Sequence, residues 1–431
     1  MVARKPAVTV VIPTYNWSAA LRCAIRSVLL QTVPDFELLV VGDGCTDDTE
    51  RVVAEFNDPR IRWHNLERNF GSQWMANNWA NEHANGDWIA YLGHDDIWYP
   101  THLEAVLRTA KHEAADVVTS IMILYWPEAT RGCSVAGLFA TETHTSQDFV
   151  PPSAFAHARA VYGDVVKWRD PATITLPMDV AFVDELAGRG RKFAQTRELT
   201  CFKFNAAWRR DSYRLKAVDE QERILARIES GVDFRQEELV SVLQAVVSNR
   251  FFPIDAPTTT GIREGEFIAR NRRHKGVDRR FSPDELRRID TPARFDMATQ
   301  AMPFEWHELE RDGQSIFRWT GPSSSATIDL PVIFDRDLLV RIQVAAMVRP
   351  ELVDSIRLSM HGQPLDVQID RSQPLFALVT KLRRSEIAES SRDFGITIDV
   401  PVTRPIDFGL GEDRRWLGVA IAWIEVSPLP A

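Results

Sequence analysis

Two adjacent carboxylates, Asp95 and Asp96, come just after an apolar run at residues 88–92 that predicts a short buried strand. Carboxylate oxygens are the ligands that hard divalent cations such as Mg²⁺ and Mn²⁺ prefer, and these cations also bridge to phosphate. An aspartate just before a helix that begins near Pro100 is also a typical N-cap, because its side chain satisfies free N–H groups. The pair therefore predicts either a metal site or a capped turn.

Polar residues also follow two earlier apolar runs that predict strands, at residues 7–13 and 36–41. Tyr15 and Asn16 follow the first run, and Asp43 follows the second. Open α/β sheets bind ligands at the carboxyl ends of their strands, so we expect these side chains to meet the acidic pair. A nucleotide fits this set, with its base stacked on Tyr15 and hydrogen-bonded to Asp43 and its diphosphate neutralised by a cation.

The elements that must position these residues alternate between strands and helices over the first 110 residues. Apolar runs at residues 7–13, 36–41, 61–65 and 88–92 predict strands, and stretches with helical spacing lie between them. This alternation is typical of βαβ units and a parallel sheet. The region contains neither a GxxxxGK[ST] loop nor a GxGxxG fingerprint, so a nucleotide would be held by a different arrangement.

Composition restricts the class of protein. The chain has 431 residues, 45% of them hydrophobic and 26% charged, as expected for a globular protein of two or three domains. A net charge of −9 argues against general nucleic-acid binding, which needs a basic surface. The four cysteines lie far apart, which predicts neither a zinc site nor a disulfide framework. Without a recognisable signal peptide or membrane-spanning run, we expect a cytoplasmic protein.

Several pieces of residues 7–110 resemble the family 2 glycosyltransferases, whose domain has the GT-A fold. The pieces are VVIPTYN (10–16), SVLLQT (27–32), FELLVVGDGCTDDT (36–49), NFGSQWMANN (69–78) and GDWIAYLGHDDIWYP (86–100). Their order and spacing fit the family. The resemblance implies a Rossmann-like α/β domain of the GT-A class that binds a nucleotide-sugar.

The resemblance also implies roles for single residues. Tyr15 and Asp43 match residues that contact the base of the donor nucleotide. The other positions implied on the donor side are Pro13, Asn16, Asn69, Gly71, Asn77 and Asp95. Asp95 and Asp96 match the D-x-D region that holds Mn²⁺ or Mg²⁺ on the diphosphate, so one of these ions is the implied cofactor.

Three positions depart from the family pattern. Gly42 stands where the first of two acids is usual, and Cys45 replaces the usual serine. Gly93 replaces the first acid of D-x-D, which removes one metal ligand of the family. His94 is either a substitute ligand, since imidazole binds divalent metals, or a turn residue that points away, and we expect the second.

Sugar transfer by direct displacement needs a general base on the acceptor hydroxyl. Family 2 enzymes often carry this acid in a Glu-Asp pair before an apolar helix, where Asp179 matches the Asp and Met178 replaces the Glu. We therefore expect Asp179 to be the base, with Asp170 as the alternative, although Asp179 also suits an N-cap. The WRR sequence at residues 208–210 is either a phosphate-binding site or a solvated turn.

The remaining chain predicts two further segments, so that the expected domains are residues 1–216, 217–302 and 303–431. Apolar residues at core spacing over 218–247 predict a helical hairpin that packs on the catalytic domain or forms a dimer contact. The basic stretch at residues 270–280 is either a solvated linker or a patch for anionic lipid or pyrophosphate-linked acceptor, with peripheral membrane contact. Short, evenly spaced strands after residue 304 predict a β-sandwich.

These features predict an inverting, metal-dependent glycosyltransferase. Its donor would be a nucleoside-diphosphate sugar, with UDP by family habit, and its acceptor a glycan or lipid-linked glycan in bacterial surface polysaccharide synthesis. Two alternatives stay open. One is a non-catalytic carbohydrate-binding or scaffold protein on a degenerate GT-A fold, which Gly42 and Gly93 favour. The other is a nucleotidyltransferase, which also uses metal and acids on an α/β sheet.

Overall fold

The computed structural model divides into two compact units. The described residues are 5–139, 144–145, 148–162, 167–231, 233–254, 263–297, 305–313, 315–372, 376–386 and 394–429. One unit holds residues 1–126 and 132–277, and the other holds residues 127–131 and 278–431. The helices after residue 217, which we expected in a segment of their own, therefore belong to the first unit. The boundary expected at residues 302–303 lies outside the described residues.

The first unit alternates strands and helices along the chain. Its strands are β1 (Val8–Thr14), β2 (Phe36–Gly42), β3 (Ile61–Asn65), β4 (Trp88–Tyr91), β5 (Ile97–Trp98), β6 (Val117–Tyr125), β7 (Cys133–Ala136), β8 (Phe155–Ala158) and β9 (Phe193–Lys203). Its helices are α1 (Ser18–Leu29), α2 (Thr49–Ala54), α3 (Trp74–His83), α4 (His102–Glu113), α5 (Met178–Gly188), α6 (Ser212–Leu215), α7 (Asp219–Glu229), α8 (Phe234–Val247) and α9 (Glu266–His274). The first four strands agree with the sequence prediction to within one residue at each end.

The strands of this unit form one mixed sheet in the order β3-β2-β1-β4-β8-β6-β9-β5, with β7 beside β6. β1 pairs in parallel with β2 on one side and with β4 on the other. Every residue of β1 and β2 is buried, as expected for inner parallel strands that are covered on both faces. The expected α/β fold is thus confirmed, and the carboxyl ends of β1, β2 and β4 lie side by side.

The hairpin of α7 and α8 packs on this unit. Its buried residues, among them Leu225 and Phe234, share an apolar cluster with Ile97 and Phe202 of the sheet, which confirms the expected packing on the catalytic domain. The second half of α8 differs from the prediction. We expected Leu239, Leu243 and Val246 in the core, but all three are exposed. The opposite face of α8, which carries Phe234 and Ala245, is the buried one.

The second unit is built mainly from two antiparallel sheets, and β10 and β15 form a separate parallel pair. Its strands are β10 (Arg287–Arg288), β11 (Ala293–Asp296), β12 (Trp306–Asp312), β13 (Ser315–Thr320), β14 (Ser325–Leu330), β15 (Val332–Ile333), β16 (Leu338–Met347), β17 (Arg357–Met360), β18 (Gln363–Leu365), β19 (Gln368–Asp370), β20 (Ala377–Leu382), β21 (Phe394–Asp399) and β22 (Val419–Pro428). The larger sheet has the order β12-β13-β22-β16-β20-β19, with β11 beside β22, and the smaller has the order β14-β21-β17-β18. Ile342 of the larger sheet and Ile396 of the smaller belong to one apolar core, as the predicted sandwich requires.

In the part of the chain that the structure describes, no helix is long and apolar enough to span a bilayer.

Candidate active site

The parallel pairing of β1 with β2 and β4 brings Tyr15, Asp43 and Asp95 to one edge of the sheet. The N–H of Asp43 donates to the carbonyl of Thr14 at 2.8 Å, so the β1–β2 ladder continues one residue past the end of β2. The N–H of Tyr15 donates to Nδ1 of His94 at 3.4 Å, which links the β1 end to the loop after β4. The juxtaposition expected from the sequence is present.

The carboxylate of Asp43 holds the loop that precedes α3. Its two oxygens accept the N–H groups of Phe70 at 2.8 Å and Gly71 at 3.1 Å. Burial raises the pKa of Asp43, whereas these N–H groups and the guanidinium of Arg272 act in the opposite direction. Each carboxylate oxygen has a further lone pair, so Asp43 can still accept a hydrogen bond from a ligand.

Arg272 of α9 lies beside this loop, a contact that the sequence did not predict. Its Nη1 donates to Oδ1 of Asn69 at 3.3 Å. Gly71 has φ +87°, and a Cβ there would lie 2.9 Å from the same Nη1, so only glycine fits without a shift. Two of the expected donor-side residues, Asn69 and Gly71, are therefore in contact with a cation.

His94 lies in the turn after β4, as expected, and its ring is buried in an aromatic cluster. Its ring packs against Trp17 and Tyr213, with centroids 5.8 and 5.9 Å away. Burial lowers the pKa of His94, which keeps the imidazole neutral. Since Nδ1 accepts from Tyr15, Nε2 carries the proton and donates to the Tyr213 hydroxyl at 3.3 Å. Both nitrogens are engaged, so His94 is not a substitute metal ligand.

The side chain of Asp96 is fully buried and belongs to the framework under the site. Lys203 of β9 donates to Oδ2 at 2.9 Å, and the hydroxyl of Ser153 donates to the same oxygen. The N–H of Phe204 donates to Oδ1 at 3.3 Å. Burial alone would lower the pKa of Lys203, but the charges of Asp96 and Asp95 outweigh it and raise that pKa. Three donors of the protein thus hold the Asp96 carboxylate in the framework, and its expected role as a metal ligand stays a prediction.

Asp95 is the carboxylate that fits the expected metal. Among the described residues, no group of three or more His, Cys, Asp or Glu side chains is arranged to hold an ion. Mg²⁺ in phosphate sites is often held by only one or two carboxylates together with substrate phosphates. The residues present thus fit an ion held by Asp95 and the ligand's own phosphates, and they do not fit a cage formed by protein side chains alone.

The two glycines that depart from the family pattern occupy crowded positions. A Cβ at Gly93 would lie 2.8 Å from Oδ2 of Asp96. A Cβ at Gly42 would lie 2.5 Å from Oδ1 of Asn65 and 2.6 Å from the ring of Trp63. Neighbouring side chains fill the space that an acid would take, so this site is packed around its glycines.

Asp179 lies in the first turn of α5 and is half-buried. Burial raises its pKa, while nearby backbone N–H groups and the ammonium of Lys203 lower it. Lys203 thus interacts electrostatically with Asp95, Asp96 and Asp179. The alternative base, Asp170, instead accepts the N–H of Ala172 at 2.9 Å as the N-cap of a short 3₁₀ turn.

Three other expected donor-side residues have structural surroundings. Oδ1 of Asn16 accepts the N–H groups of Thr46 and Asp47, so this side chain fixes the loop after β2. Pro13 is buried within β1. Asn77 is fully buried in α3, and its side-chain amide has no hydrogen-bond partner among the described residues. These three residues thus belong to the packed structure around the site.

The basic residues that suggested phosphate or lipid binding are divided among different partners. Arg209 forms a two-pronged pair with Glu220 at 2.7 and 2.8 Å, which makes the 208–210 segment structural rather than a solvated turn. In the 270–280 stretch, Arg270 pairs with Glu266, Arg272 reaches Asn69, and Arg280 is buried against Asp329. These three side chains thus have different partners, and peripheral membrane contact through this stretch stays a prediction.

An open cleft of about 600 Å³ lies against α5, the helix that carries Asp179. Its lining combines charged and apolar side chains, among them Arg169, Ile174, Leu176, Asp184, Glu185 and Arg189. Hydrogen-bonding groups beside apolar surface are suited to a sugar, which has hydroxyl groups and apolar ring faces.

The N-terminal region is similar to known glycosyltransferases. Residues 9–131 match the model of glycosyl transferase family 2. WfgD of Escherichia coli, named as a UDP-Glc:α-D-GlcNAc-diphosphoundecaprenol β-1,3-glucosyltransferase, is 40% identical over 97 residues, covering 22% of this chain and 38% of that protein. TuaG of Bacillus subtilis, a glycosyltransferase named for teichuronic acid biosynthesis, is 30% identical over 179 residues, covering 41% of this chain and 63% of that protein.

This chain also has a distant similarity to the solved structure of Staphylococcus aureus TarS in complex with UDP-GlcNAc. The match has 18% identity and a TM-score of 0.39, and it covers 51% of this chain and 66% of that one. This chain spans less than two thirds of the length of each of the curated relatives above.

Proposed function

We propose that this protein, whose first unit contains a family 2 glycosyltransferase domain, transfers a sugar from a nucleoside diphosphate to a hydroxyl of a glycan or lipid-linked glycan. The observation that carries the proposal is the meeting of Tyr15, Asp43 and Asp95 at the ends of three neighbouring parallel strands. The names of WfgD and TuaG support a role in the synthesis of a bacterial surface polysaccharide.

The donor nucleotide would lie over the ends of β1 and β2. Its base stacks on Tyr15 and donates a hydrogen bond to Asp43, whose carboxylate is fixed by the loop at Phe70 and Gly71. The UDP-glucose in the name of WfgD supports uracil as that base. Arg272, which lies beside Asn69, is a cation in reach of the same pocket and suits the charge of a phosphate.

The diphosphate would lie near Asp95. Glycosyltransferases of this fold commonly use a divalent metal ion, and we propose that Asp95 and the donor phosphates hold Mn²⁺ or Mg²⁺ here. The bound ion would neutralise negative charge on the departing diphosphate. Lys203, paired with Asp96 below, adds a fixed positive charge to the same region.

The acceptor hydroxyl would be activated by Asp179. The carboxylate takes the hydroxyl proton while the oxygen attacks the anomeric carbon, and the bond to the nucleoside diphosphate breaks on the opposite face. This single displacement inverts the configuration at that carbon, which is the outcome that family 2 implies.

The proposal is tested with a panel of UDP-, GDP- and dTDP-sugars incubated with Mn²⁺ or Mg²⁺. We expect one class to release free nucleoside diphosphate in a reaction that needs the wild-type Asp179. Release of sugar 1-phosphate with transfer of the nucleotide would favour a nucleotidyltransferase instead. Failure of every nucleoside diphosphate to bind in calorimetry would contradict catalysis and favour the scaffold alternative.

A further inference from the structure

Helix α8 has apolar side chains on two opposite faces. Phe234 and Ala245 enter the apolar cluster of the first unit. On the other side, the exposed residues and fractions are Leu239 48%, Val240 46%, Leu243 64%, Val246 52% and Val247 86%. At 3.6 residues per turn these five residues lie on one face, directly opposite the buried one. Single exposed aliphatic residues are ordinary, but a continuous stripe of five marks an interaction surface.

The apolar residues of this stripe are spaced symmetrically about Leu243. Around Leu243, apolar residues lie four and three positions before it and three and four positions after it. Two copies of α8 that pack antiparallel about a two-fold axis at Leu243 would therefore match. Leu243 meets its own counterpart, and Leu239 and Val240 meet Val246 and Val247 of the second copy. A two-fold interface requires this self-complementarity.

Charge favours the same arrangement. The acidic residues Asp233 and Glu237 lie at the start of α8, where Glu237 also pairs with Arg227, and Arg250 follows its end. Antiparallel packing brings the acidic end of one copy near the basic end of the other and opposes the two helix dipoles. A helix that lies on an anionic bilayer instead needs a basic rim. The guanidinium of Arg235, the only basic residue within α8, lies over the ring of Tyr99.

We propose that this stripe is the interface of a homodimer, formed by antiparallel packing of α8 against α8 of a second copy of this chain. Burial of the ten exposed side chains would remove on the order of 1,000 Å² of accessible surface, near the lower limit for a specific interface. The dimer should therefore dissociate at micromolar concentrations. The proposal does not depend on the function of the site at β1, β2 and β4.

Sedimentation velocity over a micromolar concentration range tests the proposal on the full chain. We expect Leu243→Glu to abolish the dimer while the melting temperature stays unchanged. Leu410→Glu is the matched control, because Leu410 is an exposed leucine of the second unit, and it should leave the dimer intact. A wild-type monomer at all concentrations, or equal effects of both variants, would overturn the proposal.

Disulfide cross-linking tests the register. Under mild oxidation, Leu243→Cys alone should form a covalent dimer. Leu239→Cys should cross-link efficiently only when it is mixed with Val247→Cys, and the parent chain with its natural cysteines gives the baseline. Cross-linking of Leu239→Cys with itself would overturn the antiparallel register. Flotation with vesicles of 30% phosphatidylserine tests the other occupant. Vesicle binding by a wild-type chain that is monomeric in solution, with loss of that binding in Leu243→Glu, would overturn the dimer.

Discussion

The ammonium nitrogen of Lys203 lies 2.9 Å from Oδ2 of Asp96, in an ion pair whose carboxylate has no exposed surface. The two residues are 107 positions apart in the chain. Gly93 lies above this pair, since a Cβ at that position would approach Oδ2 of Asp96. The pair of acids that ends β4 is therefore divided, with Asp96 in the framework and Asp95 left for the ligand.

The first prediction concerns the stability of this pair. Lys203→Met should lower the free energy of unfolding by about 3–5 kcal/mol, because it leaves a buried carboxylate without its counter-charge. The double variant Lys203→Met with Asp96→Leu should lose less than the sum of the single changes. Urea denaturation measures these values. The matched control is Lys167→Met, which breaks an exposed pair with Glu82 and should cost under about 1 kcal/mol.

The second prediction separates the two acids. Asp95→Asn should remove most of the Mn²⁺-dependent part of UDP binding in calorimetry, because Asp95 is the proposed protein ligand, and should leave the melting temperature nearly unchanged. Asp96→Asn should instead lower the melting temperature, since it disrupts the pair with Lys203. If Asp96→Asn abolished metal-dependent binding in a fully stable protein, the assignment of Asp96 to the framework would be wrong.

The third prediction concerns the base. Asp179→Asn should reduce turnover by about 10²–10⁴-fold with little change in donor affinity, because only proton transfer is lost. Burial raises the pKa of Asp179, so activity should fall on the acid side at a pH above the ordinary range of an aspartate. Asp170→Asn is the control, since Asp170 caps a short turn, and it should retain turnover. Retained turnover in Asp179→Asn would exclude this base.

The fourth prediction concerns Arg272. Arg272→Ala should weaken UDP binding about tenfold, because a charge-assisted contact in the donor pocket is lost. The neighbouring Arg273→Ala removes an exposed guanidinium from the same helix and should change affinity little. Titration calorimetry at two salt concentrations measures both. Equal losses in the two variants would indicate a general effect of charge rather than a specific contact.

The fifth prediction is a dependence of stability on pH. Burial lowers the pKa of His157 to about 4, so the folded protein keeps this side chain neutral at pH 5. The unfolded chain takes up the proton below about pH 6.5, which means that stability is lost as pH falls from about 6.5 towards 4. At pH 5 the loss from this group should be about 2 kcal/mol.

Urea denaturation at pH 7.5 and pH 5 measures this difference. His157→Gln should make it smaller by the contribution of that histidine. His112→Gln is the control, because His112 has an 82% exposed side chain and should leave the difference unchanged. An unchanged difference in His157→Gln would show that His157 is not a source of the pH dependence.

The sequence by itself determined the α/β domain and the residues that meet at its edge. Apolar runs of strand length followed by polar residues locate Tyr15, Asp43 and Asp95, and parallel strands necessarily place such residues together. The short strands of the second unit were predicted in the same way, because alternation and turns are local properties of the chain.

Only the tertiary structure decided which of these groups are available to a ligand. Lys203 forms an ion pair with Asp96, and Arg272 donates a hydrogen bond to Asn69, in each case across more than a hundred residues of sequence. No local sequence pattern predicts such pairs. The face of α8 around Leu243 is another case. The spacing of apolar residues predicts an apolar helix face, but it does not identify the surface that packs against that face. Partners of charged and apolar side chains depend on how distant segments pack, and that is settled by the fold as a whole.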